Sequence, residues 1–130
     1  MTGRYLFDTN AIIALFAHEQ TVLDRLAAAN AVFIPVVALG ELYYGARRSG
    51  RVEQNLGRID EFAAAATLLD CNQVTARRFG DIKNGLRAKG RPIPENDIWI
   101  SAVGMQHDLT VATRDHDHFS RVSGLRLEVW

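Results

Sequence analysis

A chain of 130 residues has room for one domain and can bury a core without disulfides or a structural metal. Its 48% apolar and 23% charged residues are the balance of an ordinary globular domain, which excludes a disordered, collagenous or disulfide-stapled chain. Formal net charge is zero, but the charge is unevenly spread: between positions 75 and 94, Arg77, Arg78, Lys83, Arg87, Lys89 and Arg91 stand against Asp81 alone, a local +5 that leaves the remainder at −5. The single cysteine, Cys71, has no partner in the chain, which fits a reducing compartment, and it reads as a small buried apolar residue. Asp8 and Asn10 interrupt the first apolar stretch, and the apolar run 31–40 is too short to span a bilayer. A cytoplasmic protein without a signal or membrane segment is expected.

In chain order, residues 4–7 read as a short buried strand ending at Asp8. Residues 11–16 are apolar and helical, with Thr9 or Asn10 as the cap. Val22, Leu23 and Leu26 place a second helix over 21–29, and the β-branched and aromatic run 31–34 is a strand. Pro35 stands where a helix can begin, and Val37, Leu39 and Leu42 carry it over 36–44. Residues 45–50, bounded by glycines, read as a break. Leu56, Ile59 and Phe62 mark a helix over 52–66, followed by a short strand at 67–69. Residues 74–88 form a helix that is basic on its outer side, and 89–94 (KGRPIP) form a loop. A helix over 96–106, a strand over 109–112 and a last strand over 125–129 complete the pattern. The strands lack polar alternation, so helices are expected to cover both faces of a parallel sheet. The predicted class is α/β.

Four acids stand out by position. Asp8 directly follows the first strand, and Asp115 follows the strand at 109–112; ligands bind beyond the carboxyl ends of strands in an open parallel sheet. Asp97 lies in the first turn of a helix beside Ile98, and Glu41 sits mid-helix between apolar neighbours. A carboxylate in such surroundings is rarely buried unless paired or holding a metal. Each has an ordinary alternative: Asp8 as a helix cap, Asp97 as a first-turn acid favoured by the helix dipole, Glu41 as a solvated residue, Asp115 as a turn residue. No Lys or Arg stands three or four positions from Glu41, which weakens a helical salt bridge there. Spacing alone leaves an acidic metal site open.

The segments LFDTNAIIALF, IPVVALGELYYGARRS, IPENDIWISAVGMQHDLTVATRDHDHF and GLRLEVW resemble, in order and spacing, the signature segments of PIN domains, and most closely the VapC-type toxins of toxin–antitoxin pairs. The resemblance runs from Tyr5 to Trp130. It implies a three-layer α/β/α sandwich with a central parallel sheet, as a single PIN domain over 1–130. It implies a Mg²⁺- or Mn²⁺-dependent endoribonuclease whose metal ligands and catalytic acids are Asp8, Glu41, Asp97 and Asp115. Asn10 and Thr113, which match polar companions of those acids, are auxiliary residues, as is Asp117, a possible fifth acid. A homodimer, neutralised by a small cognate antitoxin that blocks the acidic pocket, is also implied. Oxygen ligands suit Mg²⁺ or Mn²⁺, and the bound ion acidifies water and neutralises phosphate charge, favouring hydrolysis that leaves a 5′-phosphate and a 3′-OH. Two alternatives stand beside the toxin: a housekeeping PIN nuclease in RNA processing, and an inactive PIN domain acting as a binding module.

His116 and His118 flank Asp117, but with no Cys nearby they make a poor tetrahedral zinc set. His118-Phe119 matches the family's usual ending of the segment that carries Asp115 and reads as structural. Arg77, Arg78, Lys83, Arg87, Lys89 and Arg91 are the candidate RNA-tracking surface, aided by Arg47, Arg48 and Arg51, with an ordinary solvated helix face as the alternative. Tyr43 and Tyr44 are candidates for base stacking or for core and interface positions.

Overall fold

The computed structural model describes residues 3–130. Five strands, β1 (Arg4–Phe7), β2 (Ala31–Pro35), β3 (Thr67–Leu69), β4 (Thr110–Thr113) and β5 (Leu127–Val129), pair in parallel in the order β3-β2-β1-β4-β5. The chain steps outward from β1 to β3, then crosses back to the other side of β1 for β4 and β5. Right-handed crossovers put the helices before and after that reversal on opposite faces of the sheet. The helices are α1 (Thr9–Phe16), α2 (Gln20–Ala28), α3 (Val36–Arg47), α4 (Val52–Ala65), α5 (Gln73–Ala88), α6 (Glu95–Gln106) and α7 (His116–Phe119). None is long and apolar enough to cross a membrane.

The expected apolar runs became strands within a few residues of their predicted bounds. The differences have local causes. Asp8, not Thr9 or Asn10, caps α1: its carboxylate accepts from the Ala11 amide at 2.7 Å, so the helix starts at Thr9. Helix α3 runs through Gly45 to Arg47 instead of breaking there, because the buried Leu42 and Ala46 continue its core-facing stripe and outweigh the weak helix propensity of glycine. Helix α7, only four residues long, had no periodicity to reveal it. Cys71 is exposed, not buried.

One continuous core joins Leu6, Phe7, Ile12, Ile34, Ile100 and Val111, and Trp130 closes it with edge-on contacts to Tyr5 and Phe7 at ring-centroid distances of 4.9 and 5.1 Å. A smaller cluster of Leu86, Ile93, Ile98 and Val122 lies under α5 and α6. Those two helices are tied at one end by polar contacts. Asn72 and Thr75 form a capping box at the start of α5, and Thr75 Oγ1 donates to Gln106 Oε1 at 2.5 Å near the end of α6. Helix α6 also lies close to the sheet: a Cβ on Gly104 would stand 3.0 Å from Val111 Cγ2. Its opposite end carries Asp97.

Candidate active site

Strands β1 and β4 are neighbours, with Phe7 opposite Ala112, so Asp8 and Thr113 emerge side by side at the carboxyl edge. This is where the strand order changes direction, the place at which open α/β sheets form a ligand crevice. Asp8 is 2% exposed. One of its oxygens caps α1, and the other accepts from the buried Thr113 hydroxyl. Thr113 Oγ1 in turn accepts from the Asp115 amide at 2.7 Å, so one hydroxyl links the two acids through side chain and backbone. Burial pushes the Asp8 carboxyl up to about 6; the Thr113 and Ala11 hydrogen bonds oppose that rise, and nearby Asp97 and Asp115 add to it.

Asp97 arrives in the first turn of α6. Its carboxyl is also raised, first by burial; His118 holds it down, while Glu41 and Asp115 push it up. His118 Nδ1 lies 3.0 Å from Asp97 Oδ2 and 2.8 Å from Asp115 Oδ2. One donor atom from each of these three residues falls within 4.8 Å of the others. Glu41 approaches from α3, where its Oε1 accepts from Thr9 Oγ1 at 2.6 Å. The four acids therefore meet from three helix beginnings and the middle of a fourth helix, and each of the four electrostatic neighbours of Asp8 or Asp97 named above belongs to this set or to His118.

Other candidates fall elsewhere. Asp117 is turned away, 71% exposed at its side chain, and pairs with Arg121 at 2.9 Å; it is not a fifth acid of the cluster, because the single turn of α7 points it outward while His118 points in. Asn10 is exposed in the first turn of α1. Arg77, Arg78, Lys83, Arg87, Lys89 and Arg91 are all exposed on α5 and the loop after it, with Lys83 paired to Glu95 and Lys89 donating to Ser123 Oγ at 2.5 Å. Tyr43 is fastened to Asp60 at 2.5 Å, whereas Tyr44 is exposed under Arg48. The residue that sequence reasoning set aside is His118. Only its three-residue step from Asp115 was visible; its partner Asp97 stands 21 positions away.

The donor set suits a hard divalent cation. Asp8 and Asp97 are both desolvated and crowded by like charge, and the ion pairs found for Asp97 and Asp115 go to the same histidine. A doubly charged ion is the compensation such a group lacks.

A parallel α/β domain with carboxylates gathered at its topological switch point is a crevice protein whose acidic edge could hold a cation. This chain belongs to the PIN-domain family, whose model matches residues 5–125. It is 34% identical over 129 residues to ribonuclease VapC2 of Haemophilus influenzae, covering 98% of both chains. It is 31% identical over 129 residues to the tRNA(fMet)-specific endonuclease VapC of Shigella flexneri, again covering 98% of both. Its fold superposes on that of VapBC2 from Rickettsia felis, bound to a DNA fragment from their promoter, with a TM-score of 0.89, 28% identity and 98% coverage of each chain.

Proposed function

We propose that this chain, as one PIN domain over residues 1–130, is a Mg²⁺- or Mn²⁺-dependent endoribonuclease and the toxin of a type II toxin–antitoxin pair. The observation that carries the reading is the convergence of Asp8, Glu41, Asp97 and Asp115 at the β1–β4 edge, in a chain that matches VapC ribonucleases along its whole length. Those four acids would hold the cation. When bound, it supplies an acidified water and positive charge for the scissile phosphate. The chain's own groups prepare the place: Thr113 and the Ala11 amide fix the Asp8 carboxylate, Thr9 turns Glu41 inward, and the exposed bases of α5 offer positive charge to the RNA backbone.

The test is cleavage of RNA, tRNA(fMet) included, by the purified chain in Mg²⁺, in Mn²⁺ and in chelator. Cleavage with either ion, none in chelator, and products carrying a 5′-phosphate are expected. Equal cleavage in chelator overturns the reading.

A groove beside Glu41, with a volume of roughly 270 Å³ and lined by Ile13, Phe16, Leu42 and Ile59, would seat a segment of the antitoxin next to the acidic pocket. Ile13 is 51% exposed there, an apolar surface that a partner segment would cover. Ile13→Asp is expected to weaken antitoxin binding by at least about 10-fold, or 1.4 kcal/mol, with RNA cleavage retained. Unchanged affinity in calorimetry would place the antitoxin elsewhere.

A further inference from the structure

We propose that His118 is itself a ligand of the cation, through Nδ1, and that it tilts the site toward Mn²⁺ over Mg²⁺; this rests on the metal-nuclease reading above. The geometry carries it. Donor atoms on adjacent corners of an octahedral ion, with bonds of about 2.1 Å, stand about 3 Å apart. His118 Nδ1 lies 2.8 Å from Asp115 Oδ2 and 3.0 Å from Asp97 Oδ2, so the nitrogen already stands at the spacing of such a corner from both carboxylates, and donor atoms of the three residues lie within 4.8 Å of one another. The ring is positioned for this from two sides. The His118 amide donates to Asp115 Oδ1 at 3.4 Å, and the neighbouring Phe119 is fully packed in the core, which anchors the short helix.

A cation held here would take the lone pair of Nδ1 as one of its bonds, beside the Asp97 and Asp115 oxygens. Histidine then contributes what the carboxylates cannot. Mg²⁺ is bound almost wholly by oxygen, whereas transition ions accept an imidazole nitrogen. A site of carboxylates alone separates these ions weakly; one nitrogen corner separates them more.

The experiment uses the purified full chain with Mn²⁺ and Mg²⁺ as probes. In Mn²⁺-loaded protein, pulsed electron paramagnetic resonance is expected to show a directly coordinated nitrogen, whose signal changes when histidine is ¹⁵N-labelled and disappears in His118→Asn. Calorimetry is expected to show Mn²⁺ affinity falling about 10-fold in His118→Asn, with Mg²⁺ affinity changed less than about twofold. Mn²⁺ bound without nitrogen coupling in the parent, or both ions weakened equally in the variant, overturns the ligand role and leaves His118 as a residue that only orients Asp97 and Asp115. The parent measurement requires no substitution, so a poorly folding variant does not blunt it. Failure of the parent to bind either ion would instead overturn the metal-site reading itself.

Discussion

Asp97→Asn is expected to abolish RNA cleavage, and Thr113→Val to cut it by about 10- to 100-fold, the usual cost of losing an outer partner of a metal ligand. The two substitutions separate a ligand from its support. Asparagine at 97 keeps the shape and can still hydrogen-bond to His118, but it removes one of the charges that would hold the ion. Valine at 113 keeps the volume of a fully buried side chain and deletes only the hydroxyl. That hydroxyl donates to Asp8 and accepts from the Asp115 amide, so its loss frees both acids to drift and leaves a backbone donor without its acceptor. The orphaned donor costs about 1–3 kcal/mol, so Thr113→Val should also melt lower than the parent. Asp97→Asn should melt higher than the parent in chelator, because it relieves a desolvated and crowded charge. Initial rates at saturating Mg²⁺, with thermal melts of each variant, check the pair. A Thr113→Val protein that cleaves at the parent rate would reduce the hydroxyl to packing.

The metal-free protein should lose stability as pH rises from about 4 to about 6. The Asp8 carboxyl is raised from 3.8 to about 6 in the folded protein. Between those values the folded chain holds a proton that the unfolded chain has released, so each step up in pH favours unfolding, and the stability present below the unfolded value is lost through the folded one. A rise of about two units corresponds to roughly 3 kcal/mol, and Asp8 is buried enough for the figure to need little discount for screening. Asp8→Asn removes this dependence, so the informative quantity is the parent's stability minus the variant's across pH 4–7 in chelator. Excess Mg²⁺ should erase the parent's loss above pH 6, since a ligand at 100 times its dissociation constant stabilises by about 2.7 kcal/mol. A difference that stays flat across this range would mean that Asp8 ionises as an ordinary exposed acid.

The strands were legible because each is a short run whose residues have few other options: Leu6, Phe7, Ile34 and Val111 are apolar, nearly all of them β-branched or aromatic, and end up fully buried. The acids at 8 and 115 were legible for the same reason, since a strand's end is visible even when its neighbours are not. What lay beyond reach was whatever depends on packing. The order β3-β2-β1-β4-β5 follows from which crossovers fit, and no local run encodes it. The cap of α1 stayed open in the sequence because Asp8, Thr9 and Asn10 are all good capping residues, and only the buried carboxylate's contact with Ala11 chose among them. His118 was hidden because its role is defined by Asp97, brought in by a helix that reaches the site from the far side of the loop at 89–94.

The pairing of β1 with β4 also sets when the protein can first do harm. Asp8 and the hydroxyl that holds it are 105 positions apart, and Asp115 follows later still. During synthesis the first acid leaves the ribosome early and waits, without these partners, until β4 has emerged. Trp130, seated on Phe7 and Tyr5, extends that delay past β5. A chain that stops short of β4 thus has carboxylates but no crevice, and whatever restrains the folded protein has until β4 docks on β1 to arrive.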